Sequence, residues 1–290
     1  HRTKTNRPQL LKPGNWIIPK RRQRRSEGRH QSDRAQHRLE GYRLLSRTMP
    51  SKRSPVRKTP AQRKRAAQLL GALRRRYPEA RCALEANAPH ELLIATILSA
   101  QATDASVNRA TPALFRAFPT ISAFAAASPA DVEPFVRTIN FWRNKSRSIV
   151  ETARTLQRDF GGEVPRSMDA LLTLRGVARK TANVVLGNAF GMQEGVVVDT
   201  HVARLSKRMR LTRHTDPVKV ERDLMALFVP SSWCELSHLL ISHGRAVCRA
   251  RGDTCANDSI CRRYCSGAGS ATTAPSARRR TRGTRANTAR

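Results

Sequence analysis

Acidic residues are scarce in this 290-residue chain: 21 Asp and Glu stand against 55 Lys and Arg, for a formal charge of +34. A surplus this large argues against a basic partner and for a polyanion, because basic surface attracts and tracks phosphate. Long apolar runs are also missing. The longest, around Leu92 to Ala100, falls well short of the roughly 18 residues a membrane-spanning helix needs, so a membrane is the weaker of the two polyanion readings. No apolar stretch precedes a small-residue cleavage site near the start, so no export signal is expected. Strand-like alternation is scarce as well: Val196-Val197-Val198 alone has β composition and is too short to found a sheet. What remains is an all-α chain that binds a polyanion.

The positive charge is uneven. Residues 1–48 carry +11, residues 266–290 carry +6, and the middle keeps +17, so the middle is basic in its own right. The leading segment is rich in Arg, Gln and His without sustained periodicity, which predicts disorder over residues 1–58, with Met49 as the expected natural start. The Arg-rich tail over 266–290 is read the same way.

Helix starts recur between these ends. Thr59-Pro60-Ala61-Gln62 is a cap, an N1 proline and a capping-box Gln, and Leu69, Leu70 and Leu73 give the apolar face that follows. Ser128-Pro129-Ala130-Asp131 and Asp216-Pro217-Val218-Lys219 repeat the cap-proline pattern, and Ser232-Trp233-Cys234-Glu235 reads as another capping box. Phe118-Pro119, Gly161-Gly162 and Gly191 mark loops. Pro89 to Ala100 is apolar nearly all round, which predicts a helix buried in a bundle.

Several stretches carry chemistry. Leu174-Arg175-Gly176-Val177-Ala178-Arg179-Lys180-Thr181 reads as a glycine-containing hairpin whose N–H groups face an anion at the start of a helix. The positive end of that helix and Arg179 both disfavour the ammonium form of Lys180, as a nucleophile requires, although the local residues taken alone favour a solvated helix lysine. Nineteen positions on, Asp199 reads as an N-cap carboxylate at a junction. Gln101 leaves the buried helix in a polar turn, either as a fixed probe for a base or phosphate or as a plain helix end. In the segment from Arg137 to Lys145, Trp142 is assigned to packing, while Phe141 is open between packing and a wedge into a base stack.

Six cysteines occur. Cys82 and Cys234 read as small core residues of helices, and Cys248-x6-Cys255-x5-Cys261-x3-Cys265 crowds into eighteen residues. Without an export signal, the cluster points to metal rather than disulfides. Zinc knuckles use shorter spacings, which tilts the reading to a [4Fe–4S] cluster, with Zn the alternative.

In this order, residues 60–265 resemble the endonuclease III family of helix-hairpin-helix DNA glycosylases. Leu98 to Asp104 is similar to the family's glutamine-bearing turn, Leu174 to Thr181 to its hairpin and lysine, Val198-Asp199-Thr200-His201 to its aspartate segment, and the terminal cysteines to its iron–sulfur loop. Three departures stand out: Arg175 replaces the hairpin's usual proline, Ala178 its second glycine, and the cysteine spacing differs, with Asp258 in the place of the third cysteine if Cys248 and Cys255 are aligned, while Cys255-x5-Cys261 matches the family's final pair. Ala178 must therefore avoid a positive φ.

The resemblance implies two all-α domains, a six-helix domain over 84–195 and a second over 59–83 plus 196–265 that carries the four-cysteine loop. It implies a base excision DNA glycosylase and AP lyase for oxidised pyrimidines, with Lys180 and Asp199 catalytic. DNA would meet Gln101, Asp104, Phe141, Arg175, Gly176, Ala178, Arg179, Thr200 and His201, and the metal would meet Cys248, Cys255, Cys261 and Cys265. The implied partner is damaged or abasic duplex DNA, met by a monomer inside the cell, in the cytoplasm or nucleoid of a bacterium. The alternatives are a mismatch-type glycosylase of the same superfamily and a non-catalytic DNA-binding or redox-sensing iron–sulfur protein.

Overall fold

The computed structural model describes residues 57–251 and 255–266. The expected extension before Arg57, the start at Met49 and the tail beyond Ser266 lie outside the described residues. Lys58, expected within the disordered extension, is instead pinned: its amine donates to Asp223 at 2.7 Å, and Asp223 also accepts from the Thr212 hydroxyl at 2.5 Å.

Twelve α-helices and no strand occur among the described residues. They are α1 (Pro60–Arg76), α2 (Pro89–Leu98), α3 (Asp104–Ala117), α4 (Ile121–Ala126), α5 (Pro129–Val136) and α6 (Trp142–Asp159). Then follow α7 (Met168–Leu172), α8 (Arg179–Phe190), α9 (Thr200–Arg208), α10 (Pro217–Leu227), α11 (Trp233–Ala246) and α12 (Ser259–Tyr264). No single helix among them is long and apolar enough to cross a membrane.

Local chemistry starts these helices largely as the sequence predicts. Thr59 and Gln62 form a capping box for α1, Ser128 and Asp131 one for α5, and Asp216 accepts from the Lys219 N–H to cap α10. Ser232 does not cap. A short 3₁₀ turn, Pro230–Ser232, runs into α11, so the Ser232 hydroxyl donates to the Val229 carbonyl while Glu235 is taken by Arg74 in a bidentate pair. Cys82 also departs from expectation: it lies in the loop between α1 and α2, not in a helix. Between residues 84 and 195 there are seven helical segments where six were expected, because Ser167 caps the five-residue α7 as a helix of its own.

The buried apolar residues fall into two clusters. One runs from Leu93 to Leu186 and uses α2 through α8. The other joins α1 (Ala66, Leu69, Leu70, Leu73) to Val196 and helices α9 to α12. Each fully buried leucine, such as Leu69 or Leu93, contributes about 2–3 kcal/mol by area removed from water. Helix α2 is buried from Leu92 to Leu98 and packs on α8, while α6 packs on α4 and α5. Val196 and Val197 are buried yet form no strand; they thread the linker from α8 to α9.

Polar ties cross between the clusters. Arg245 of α11 donates to Asp104 of α3 at 2.6 Å, His238 of α11 meets Asn188 of α8 at 2.8 Å, and the Cys234 N–H donates to the Gln193 side chain at 2.9 Å. The two halves thus meet through specific hydrogen bonds as well as packing.

Candidate functional site

Leu174 and Val177 are buried and anchor the hairpin, leaving Arg175, Gly176 and Ala178 exposed at its tip. Gly176 takes φ +78°, a left-handed turn that a side chain resists, and an added Cβ there would press on Ser148 of α6 at 3.3 Å. Ala178 sits at φ −96°, extended backbone that tolerates its methyl group. Helix α6 braces the turn: Thr152 donates to the Arg175 carbonyl at 2.8 Å, and the Arg175 guanidinium pairs with Glu151 at 2.6 Å. Ala178 is the N-cap of α8 and gives no side-chain cap, so the leading N–H groups of that helix face outward without one.

Arg179 and Lys180 open α8 and diverge. The Arg179 guanidinium turns to Glu221 of α10, with Nε 3.0 Å from Oε2 and Nη2 3.1 Å from Oε1, and reaches the Glu194 carbonyl at 3.4 Å. Asn183, one turn on, donates to the same buried carboxylate at 3.0 Å. Lys180 is exposed and makes no hydrogen bond or ion pair among the described residues. A fixed first turn thus carries a lysine whose amine is free to meet a ligand.

Asp199 is the N-cap of α9, its Oδ1 accepting from the Val202 N–H at 2.7 Å. Thr200 follows, exposed, and His201 is half-buried beside Gly244, with the Arg204 guanidinium 3.1 Å from its Nδ1. Burial pushes the His201 pKa below the ordinary imidazole value, and the charges of Arg204 and Arg245 add to this against Asp199. Asp104 is held by Arg245 in the salt bridge described above.

Gln101 is exposed at φ +53°, and its carbonyl accepts from the Asn140 side chain at 3.0 Å. Phe141, next in the chain, is 60% exposed at φ +60° as the N-cap of α6. Trp142 packs on the first core cluster, with the guanidinium of Arg143 4.1 Å above its ring.

The Sγ atoms of Cys248, Cys255 and Cys261 lie within 4.8 Å of one another, and the Cys265 thiol is in hydrogen-bond contact with those of Cys248 and Cys261. Asp258 caps α12 through the N–H groups of Ile260 and Cys261, which holds Cys261 at the cluster. Arg208 donates to Cys248 at 3.3 Å, and His243 Nε2 lies 3.2 Å from Cys261 Sγ. Hydrogen bonds from Cys261 and Cys265, with Arg208 beside them, hold the Cys248 thiol well below its ordinary range. Three converging thiols, a fourth in contact and a neutralising guanidinium make a donor set suited to a metal cluster.

Sequence reasoning missed Glu221, Asn140, Arg208 and His243. Glu221 and Asn140 carry no motif. His243 sits on the buried face of α11 and Arg208 in the last turn of α9, and only their contacts mark them out.

Residues 94–230 match the model of the HhH-GPD superfamily base excision DNA repair protein. The endonuclease III of Synechocystis sp. is 49% identical over 202 residues, covering 70% of this chain and 92% of that relative. The endonuclease III of Escherichia coli K12 is 39% identical over 188 residues, covering 65% of this chain and 89% of that relative. A solved trapped endonuclease III–DNA covalent intermediate aligns with TM-score 0.67 and 38% identity, covering 71% of this chain and 96% of that one. A thermostable thymine-DNA glycosylase, at 21% identity and TM-score 0.58, shares the fold. With a hairpin, a free lysine, a capping aspartate and a terminal cysteine cluster in the same order and fold, this chain belongs to the endonuclease III family of base excision DNA repair proteins.

Proposed function

We propose that this DNA glycosylase and AP lyase excises oxidised pyrimidines from duplex DNA through a Schiff base on Lys180. The observation that carries the reading is the exposed Lys180, without a partner among the described residues, in the first turn of a helix that the Arg179–Glu221 pair anchors. We divide the chain into two domains, residues 84–195 and residues 59–83 with 196–265, and DNA lies in the cleft between them. The two separate apolar clusters support that division.

A stacked base is out of reach, so the damaged nucleotide is turned out of the duplex, at a cost of a few kcal/mol that is smaller for a weakened pair. Gln101 and Phe141 fill the gap. The Lys180 amine attacks C1′, the glycosidic C1′–N bond breaks, and the base leaves with the electron pair and takes up a proton. The amine then gives up a proton, the C1′–O4′ bond opens with O4′ taking a proton, and the Schiff base so formed acidifies the C2′ proton, whose removal expels the 3′ phosphate and cuts the strand. Asp199 assists the proton transfers and stabilises positive charge on the sugar.

The N–H groups of Gly176 and Ala178 hold a phosphate, as do the exposed Arg175 and Thr200, without reading sequence. Arg179 serves through its anchorage, His201 and Asp104 line the cleft, and the enzyme acts as a monomer wherever the cell keeps its DNA. Cys248, Cys255, Cys261 and Cys265 would hold a [4Fe–4S] cluster, which supplies a structural clamp and a redox-active centre when bound.

Incubation with a duplex carrying one abasic site tests the proposal. Strand cleavage on the 3′ side is expected, and an intact strand under saturating binding would contradict it.

A further inference from the structure

Three non-glycine residues among those described adopt a positive φ: Gln101, Phe141 and Arg210. Two of the three flank one hydrogen bond, from the Asn140 side-chain amide to the Gln101 carbonyl at 3.0 Å. Left-handed backbone costs a residue with a side chain roughly 1–2 kcal/mol and persists where its surroundings hold it, most often at functional sites. The surroundings here are firm on both sides. Gln101 leaves the buried helix α2 and is followed by Thr103, which caps α3; Asn140 follows the fully buried Ile139 and precedes α6. Phe141 nevertheless points its ring into solvent at 60% exposure, a poor arrangement for stability alone. Gln101, Thr103, Ser106, Thr138 and Asn140 line a shared cavity of ≈ 480 Å³.

We propose that Asn140 is a positioning residue: its amide staples the Gln101 turn to the Phe141 loop, so that the two enter the base stack as one two-pronged wedge. The inference rests on the function proposed above and adds to it a residue that touches neither the lysine nor the reacting sugar. Separate loops would each lose freedom on inserting, at about 1–2 kcal/mol for every backbone position that becomes fixed. Loops already joined have lost it in the free protein, so more of the binding energy remains for turning the nucleotide out. The staple therefore acts on base extrusion and leaves the chemistry at Lys180 alone.

The test compares Asn140→Ala and the isosteric Asn140→Asp with the wild type in single-turnover assays on two duplexes. One carries an oxidised pyrimidine in a base pair, and the other a pre-formed abasic site with no base to extrude. Loss of one hydrogen bond predicts a roughly three- to tenfold slower excision of the paired lesion. Cleavage at the abasic site is expected to stay within about twofold, with the melting temperature lowered by no more than about 2–4 °C. A 2-aminopurine opposite the lesion reports unstacking directly and is expected to respond more slowly in both variants. In a Phe141→Ala background, Asn140→Ala is expected to cost nothing further.

Equal loss on both duplexes, no loss on the paired lesion, or a full effect without Phe141 would each overturn the staple. A wild-type protein inert on both duplexes would instead remove the proposed function itself, a different and separately readable failure.

Discussion

Arg179 grips both carboxylate oxygens of Glu221, a residue 42 positions away on a helix of the other apolar cluster. Because Arg179 directly precedes Lys180, this pair sets where the first turn of α8 sits relative to α10 and the linker to Asp199. Glu221 is 7% exposed and accepts from Arg179 and Asn183 together, so its charge is well compensated.

Glu221→Ala leaves Arg179 and the buried Asn183 without their acceptor. Breaking a buried pair costs 3–5 kcal/mol, and the partial exposure of Arg179 lowers the expected loss to about 1–3 kcal/mol by urea unfolding. Cleavage of an abasic duplex is expected to slow about tenfold, since a lysine held loosely samples the attack geometry less often. Unchanged activity at reduced stability would confine the pair to a structural part.

Gly195 tests the same network from the linker. A Cβ at this position would fall inside contact distance of Glu221 Oε1 and 2.8 Å from Asn183 Nδ2. Gly195→Ala is expected to cost about 1–3 kcal/mol. Glu221→Ala removes the colliding atom, so the double variant is expected to be more stable than the sum of the two losses predicts. Strict additivity in unfolding experiments would contradict the shared network.

Asp199→Asn separates chemistry from capping. Asn is as good an N-cap as Asp, so the bond to Val202 survives and stability changes by less than about 0.5 kcal/mol. Turnover is expected to fall by about 10²-fold or more, with DNA affinity nearly intact. Asp199→Ala adds the loss of the cap, about 1 kcal/mol. A large loss of affinity in the Asn variant would assign Asp199 a binding part instead.

His238 predicts a pH dependence of stability. Burial pushes its pKa down from 6.5 to about 4, and its ring meets Asn188 at 2.8 Å. Above pH 6.5 the ring is neutral in both states and costs nothing; as pH falls below that, the unfolded chain takes up a proton the folded chain refuses. Stability attributable to this group therefore falls with pH, by about 2 kcal/mol near pH 5. His238→Gln keeps a donor without a titration, and its urea midpoint is expected to drop less between about pH 7.5 and about pH 5. Equal drops in both proteins would contradict this assignment.

Caps and buried faces were legible in the sequence because they depend on neighbours within a few positions. Thr59 with Gln62, Asp199, Asp216 and the apolar run of α2 all stand as expected. Ser232 and Cys82 failed because the deciding contacts are distant: Arg74 draws Glu235 out of a capping box, and the chain between α1 and α2 crosses from one cluster to the other. Arg179 reads locally as a cation beside a phosphate site, and only the fold brings Glu221 to it. Asp258 likewise reads, in one of the two registers, as a missing cysteine, while in the structure it is the cap that holds Cys261.

The central claim is that Lys180 forms the covalent bond to DNA, and borohydride trapping on a duplex with one oxidised pyrimidine tests it most directly. A stable protein–DNA adduct is expected with the wild type and none with Lys180→Gln, whose exposed position leaves folding intact. An adduct that survives the substitution would take the nucleophile's part away from Lys180.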